Sequence, residues 1–271
     1  MTTASHPPCV LTVAGSDTSG GAGVQADLKT VGACGAYAVS AITALTAQGS
    51  AGVQAVWPVT PTQLEQQLAC ALQYEPRAIK VGMLATAELV RVVQAMLPPR
   101  DRVPLVLDTV IRASSGASLL DDAGVACLRD TLLSRATIIT PNRQEAAQLF
   151  PHADEQAIQQ WVRDTGTVVL LTGGDSHLAV AGETRFCTDV LVTANDIEHV
   201  TLPRVETDNH RGTGCTLTAA LAAFLAHGFS LVEAVQCARH FVHRALQGGE
   251  SHQWPGSGPL HHFFALGQTV T

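Results

Sequence analysis

A doubly wound α/β domain with a mainly parallel central sheet is what the sequence predicts, on three observations. Short apolar runs alternate with stretches of helical periodicity from residue 9 to residue 171. The strand-like runs end in glycine-rich or polar turns. No repeat, charge block or low-complexity linker interrupts the 271 residues, so a single domain spanning 1–271 is expected, with no second catalytic domain. Parallel strands need crossover connections of one hand, which puts helices on both faces of the sheet.

Residues 9–14, bounded by Pro8 and Gly15, read as a buried strand feeding the glycine-rich turn 15–23. Val24, Leu28 and Val31 then recur at helical spacing. Residues 37–45 are β-branched and aromatic enough for a second strand, and 53–59 for a third, peripheral one. A helix over 62–74, a strand over 78–82 and a helix over 86–97 follow. The strand 103–107 delivers Asp108 at its end, and the Gly/Ser loop 112–118 leads to a helix over 121–133. Next come strand 136–139, helices 141–149 and 155–163, and strand 167–171. The rhythm then changes: 189–193 and 197–202, joined by Ala194-Asn195-Asp196, predict a small antiparallel hairpin. Helices over 215–226 and 230–246 close the chain. Ligands of such sheets bind beyond the carboxyl ends of the strands. That rim collects 15–23, Gln48, Gly82-Met83, Asp108, Asn142 and Thr172-Gly173-Gly174.

Composition narrows the function. A 46% hydrophobic share supplies a large core, while 14% charged residues and a net charge of −7 leave no basic footprint for nucleic acid. Apolar runs such as 168–171 are too short to span a bilayer, so no membrane partner is expected. The seven cysteines are scattered and contain no C-x-x-C pair, which argues against a disulfide framework or zinc site. With no signal-like N-terminus, a cytoplasmic location is expected.

The chemistry concentrates at 208–216. Gly212-Thr213-Gly214-Cys215 opens an Ala/Leu-rich helix. A glycine turn at a helix start gathers unpaired N–H groups at the positive end of the dipole, an anion hole. Cys215 at that position is expected to have a lowered thiol pKa. The alternative reading is a glycine-capped buried helix with an inert cysteine. Gly21-Ala22-Gly23-Val24-Gln25-Ala26 fits G-x-G-x-x-[GA], but 40–50 contains no acid for a ribose, which disfavours a dehydrogenase. Asn142 and Glu145, at i and i+3, either hold a hydrated Mg²⁺ or cap a helix. Asp27 is either a dipole-favoured surface charge or a ligand contact. His240, His243, His261 and His262 lack a metal-ligand pattern.

Together, residues 13–30 (VAGSDTSGGAGVQADLKT), 41–48 (AITALTAQ), 80–84 (KVGML), 107–111 (LDTVI), 140–146 (TPNRQEA), 211–217 (RGTGCTL) and 258–263 (GPLHHF) resemble the ribokinase superfamily. Within it they are similar to the hydroxymethylpyrimidine/phosphomethylpyrimidine kinases of thiamine biosynthesis. Cys215 stands where sugar kinases of the superfamily carry Asp. The resemblance implies a ribokinase-like three-layer sandwich, homodimeric, that uses ATP and Mg²⁺. Its implied reaction moves the γ-phosphoryl group to the hydroxymethyl oxygen of 4-amino-5-hydroxymethyl-2-methylpyrimidine, and then phosphorylates the monophosphate. On the resemblance Cys215 accepts the hydroxyl proton beside the amides of Gly212, Thr213 and Gly214. Gln48 reads the pyrimidine, and Gly15, Asp27, Met83 and Val110 line its pocket. Asn142 and Glu145 hold Mg²⁺ through water, with Asp108 a further candidate ligand, and they border the nucleotide with Thr172, Gly173, Gly174 and Arg211. Relatives carry lysines where this chain has Ser114 and Thr172, and Arg112 and Arg211 are expected to replace those cations. Pyridoxal kinase, or a non-catalytic pyrimidine or nucleotide sensor, is the alternative.

Overall fold

The structure is a computed structural model that describes residues 6–49, 52–113, 116–173, 178–181, 184–250 and 252–266. In chain order its elements are β1 (Cys9–Asp17), α1 (Gly23–Ala33), β2 (Tyr37–Gly49), β3 (Gly52–Pro58), α2 (Pro61–Ala71), β4 (Ala78–Val81) and α3 (Ala87–Met96). Then come β5 (Leu105–Leu107), α4 (Asp122–Cys127), β6 (Ile138–Ile139), α5 (Arg143–Leu149), α6 (Glu155–Thr165) and β7 (Val168–Leu171). The chain finishes with β8 (Leu178–Ala181), β9 (Thr184–Val192), β10 (Ile197–Pro203), α7 (Thr213–Ala226) and α8 (Leu231–Gly249).

Among the described residues the strands form one sheet in the order β10-β9-β7-β6-β5-β4-β1-β2-β3, with β8 paired to β9. Pairing is parallel from β7 through β2 and antiparallel at both margins. The period-2 alternation of strand residues divides the core in two. Leu11, Val13, Ile79, Val81, Leu107, Ile139 and Val169 meet α2, α3, α5 and α6. Val10, Ala78, Val106, Ile138 and Leu170 meet α1, α7 and α8. Helix α7 is apolar all round, as a helix enclosed on every side should be, and Thr216 through Ala223 are all buried.

Several boundaries differ from the sequence expectation. β1 continues past residue 14 to Asp17, because a register shift after Ala14 lets Ser16 and Asp17 pair with Leu45 and Thr46. The helix expected over 121–133 ends at Cys127; a π turn (Leu128–Leu132) and a 3₁₀ turn (Leu133–Arg135) follow, burying Leu128, Leu132 and Leu133 together. β9 begins five residues earlier than the predicted hairpin, and β8 escaped the sequence reading. α7 starts at Thr213, before Cys215.

Candidate active site

Two glycine turns interlock at the carboxyl rim. Gly212 caps α7 at φ +82°, and a Cβ there would overlap the carbonyl of Gly21 in the first turn. Arg211 lies against Gly21 and Pro259, with Nε 3.5 Å from Asp17 Oδ2 and an N–H donated to the Gly49 carbonyl at 2.9 Å. Asp17 organises the first turn by accepting from the Ser19 N–H (3.0 Å), the Ser19 hydroxyl (2.7 Å) and the Ala22 N–H (2.8 Å). At α7 the first helical bond runs from Thr216 N–H to Gly212 O at 2.8 Å. Gly214 and Cys215 therefore present their N–H groups at the open end of the helix. The Thr213 hydroxyl and N–H are both spent on the His210 carbonyl, at 2.6 and 3.4 Å.

Asp108, at the end of β5, meets this helix start. Thr218 Oγ1 donates to it at 3.4 Å, and the nearby Cys215 thiol lowers its proton affinity. Burial pushes Asp108 up to about 6 against the pull of Lys80. Glu145 is buried one strand away. Burial, then the Asp108 charge, pushes it up to about 7. It accepts from Asn142 N–H at 3.0 Å and Thr109 Oγ1 at 3.2 Å, while Asn142 Oδ1 accepts from Glu145 N–H at 2.9 Å. The pair is thus a capping box, and this also leaves a carboxylate facing Asp108. Asn142 is bridged to Thr172, whose N–H donates to Pro141 O at 2.9 Å. The Gly173 N–H donates to Asp189 Oδ1 at 2.7 Å.

Cys215 corrects the sequence reading. Burial of its sulfur pushes the thiol of this half-buried residue up to about 12. Lys80 and a Gly23 N–H favour the thiolate, but desolvation with Asp108 and Asp27 outweighs them and the helix start. At neutral pH the group is a thiol beside Asp108.

On the facing side the structure brings Gly15, Met83 and Val110 together. A Cβ on Gly15 would stand 2.9 Å from Met83 Sδ, and Val110 and Val56 pack on Met83 and Ala44. Gln48 is half-buried at the end of β2, its Oε1 3.4 Å from the Thr46 hydroxyl. Asp27 differs from the expectation of a pocket wall. It is 0% exposed, and its oxygens are taken up by Lys80 Nζ (2.9 and 3.0 Å) and Thr12 Oγ1 (2.5 Å). Arg211 is buried too, and its contact with Asp17 locks the two glycine turns together. Arg112 is exposed and donates to Gly116 O at 3.3 Å. Gly174 and Ser114 lie outside the described residues.

The family model described as phosphomethylpyrimidine kinase matches residues 17–261. The chain belongs to that family. It is 41% identical to the hydroxymethylpyrimidine/phosphomethylpyrimidine kinase of Escherichia coli (strain K12), over 94% of this chain and 97% of that one. Among solved structures it resembles the phosphomethylpyrimidine kinase of Clostridium difficile 630 (33% identity, TM-score 0.71, 88% of this chain and 99% of the other). It also resembles an ADP complex of Bacillus subtilis pyridoxal kinase (30% identity, TM-score 0.82, 96% and 100%). A ribokinase-like fold and a kinase follow.

Three features of this phosphomethylpyrimidine kinase family member escaped the sequence reading. Lys80, the largest fully buried side chain, lies within an apolar strand. The Arg211–Asp17 clamp joins two motifs that were read separately. Arg239 on α8 holds Asp189 at 2.7 Å, behind the Gly173 turn. A charge inside an apolar run, as in Ala78-Ile79-Lys80-Val81, is the signal that points to the first.

Proposed function

We infer that this kinase transfers the ATP γ-phosphoryl group to the hydroxymethyl oxygen of 4-amino-5-hydroxymethyl-2-methylpyrimidine, and then phosphorylates the monophosphate to the pyrophosphate, in thiamine biosynthesis. The observation that carries this reading is the open start of α7, with Cys215 against Asp108, set at the rim that also gathers Gly15, Met83 and Val110. Phosphoryl transfer needs alignment and charge neutralisation more than covalent help. The Gly214 and Cys215 N–H groups supply fixed donors for phosphoryl oxygens. Gln48, steadied by Thr46, offers its paired donor and acceptor to the pyrimidine, and the apolar wall excludes water from the acceptor oxygen.

As the new oxygen–phosphorus bond forms and the γ-phosphorus–oxygen bond to ADP breaks, ADP leaving with the electron pair, the hydroxyl proton passes to Cys215 Sγ while the thiol's own proton moves to Asp108. The pair acts as one acceptor, since the carboxylate is ionised at neutral pH and the thiol is not. The donor set also fits Mg²⁺. Asp108 and Glu145 are buried carboxylates, the Asp108 charge raises the proton affinity of Glu145, and a divalent cation relieves such repulsion. When bound, the ion neutralises phosphate oxygens. Asn142, Glu145, Thr172 and Gly173 border the nucleotide.

An ADP-release assay with the pyrimidine alcohol, its monophosphate and pyridoxal tests the reading. We expect the pyrimidine alcohol to have the highest kcat/KM. Preference for pyridoxal, suggested by the 0.82 TM-score to a pyridoxal kinase, would overturn it, and binding without ADP release would mean a sensor. Cys215→Ala should cut kcat at least ~100-fold.

One domain over 1–271 acts as a cytoplasmic homodimer. All seven cysteines are free, as a reducing compartment keeps them. Among the described residues the sheet margin β3 is unpaired beyond β2, and its cross-strand pair Leu45–Trp57 is 53% and 57% exposed, a surface suited to a second copy. Trp57→Lys should sediment as monomer; an unchanged mass would reject this face.

A further inference from the structure

The rim rests on a buried cation that the reaction as described does not use. Thr12 on β1, Lys80 on β4 and Asp27 on α1 meet between the sheet and the layer of α1 and α7. All three are 0% exposed. Lys80 points along β4 toward its carboxyl end, and a Cβ on Gly82 would stand 2.8 Å from its Nζ. Gly82 is therefore the gap that admits the ammonium beneath the rim. The adjacent residue, Met83, belongs to the acceptor wall.

We propose that Lys80 is a positioning residue for phosphoryl transfer: its ammonium, moored to Asp27 under Gly82, is the fixed positive charge that holds the Cys215–Asp108 pair in its transfer geometry. Asp27 and Thr12 set the ammonium's place, and Gly82 sets its reach. The arrangement has a polarity. The positive end of the ion pair is the end turned to the site: Nζ reaches past Val81 to Gly82, and the Asp108 N–H donates to Val81 O at 2.8 Å. Burial lowers the proton affinity of Lys80, and the Asp27 and Asp108 carboxylates oppose it, so that the ammonium is held above its ordinary value. A sealed charge of this kind needs no reorganisation as charge shifts above it, which is the property that electrostatic preorganisation requires. A salt bridge kept only for stability has no need to stop beneath the helix start, and is often replaceable by apolar groups.

The inference rests on the transfer site assigned above, and the experiment separates the two. Lys80→Met with Asp27→Asn removes both charges together and leaves no stranded ion. We expect this double variant to keep its circular dichroism and a cooperative thermal transition. Its kcat for the pyrimidine alcohol should fall at least ~10-fold, with KM for ATP within about twofold of the parent. Gly82→Ala, which leaves the ion pair but pushes the ammonium back, should lower kcat in the same sense and serves if the double variant fails to fold. Parental kcat in a folded variant of either kind overturns the proposal, as does a change confined to KM. If Cys215→Ala turns over normally, the transfer site itself is wrongly assigned; if it is inactive while the folded double variant is normal, only the role of Lys80 falls.

Discussion

Two buried ion pairs hold the two halves of this rim, and they are built differently. Lys80–Asp27 lies under the acceptor half, both side chains at 0% exposure, with one ammonium and the Thr12 hydroxyl both donating to one carboxylate. Arg239–Asp189 lies under the nucleotide half, at 10% and 2%, and the guanidinium also reaches Val200 O at 3.2 Å. Asp189 in turn fixes the Gly173 N–H. The first pair is a compact point charge aimed at the reacting atoms. The second uses the planar fork of arginine to tie a helix to a hairpin and a loop. Charge placement governs the acceptor half, and backbone placement governs the nucleotide half.

Breaking each pair from its cationic side should separate these roles, with the acceptor half responding most. Lys80→Met alone strands Asp27 in the core, which costs about 3–5 kcal/mol, read as a drop in the urea midpoint at unchanged slope. Arg239→Met should cost less, roughly 2–3 kcal/mol, because Asp189 keeps the Gly173 N–H. Its kinetic signature should also differ: KM for ATP rises several-fold while kcat stays near that of the parent. A fall in kcat with unaltered KM would mean that Arg239 also acts on the transfer chemistry and that the two halves are not separable.

The sequence shows the nucleotide half and the anion hole more readily than the acceptor floor. Gly212, Asn142 and Thr172 are local signals: a glycine at a helix start and polar residues just past strands, which turn and cap chemistry makes readable. Gly15 and Met83 follow from the rule that ligands sit at strand ends and Val110 from the family resemblance, and the three do converge. Asp27 and Lys80 are 53 residues apart, and nothing local tells either one of its partner. Arg211 and Asp17 are legible as neighbours of phosphate loops, but their engagement with each other depends on how two turns pack. The thiol of Cys215 went the other way from its sequence expectation for a related reason. Helix position is local, whereas the burial and the two carboxylates that dominate it are tertiary.

Glu145 gives the smallest effect and the sharpest contrast with both pairs, since it is a buried carboxylate with no cation of its own. Its pKa rises from 4.5 to about 7 on folding, by burial first and then by Asp108, so between those values the folded protein holds more protons than the unfolded chain. Stability must then fall as pH rises through that window and level off above it, by roughly 2 kcal/mol between pH 5 and 7.5 for this group. Asp108, raised from 3.8 to about 6, adds a slope of the same sign at lower pH. In the unliganded protein Glu145→Gln keeps an oxygen for the Asn142 and Thr109 bonds, and should flatten the upper part of the profile. Thermal midpoints of parent and variant, measured across pH 5 to 8, should therefore converge at the acid end and separate at the alkaline end. Parallel curves would mean that Glu145 is ionised throughout, and that the repulsion invoked for a magnesium ion at Asp108 and Glu145 does not exist.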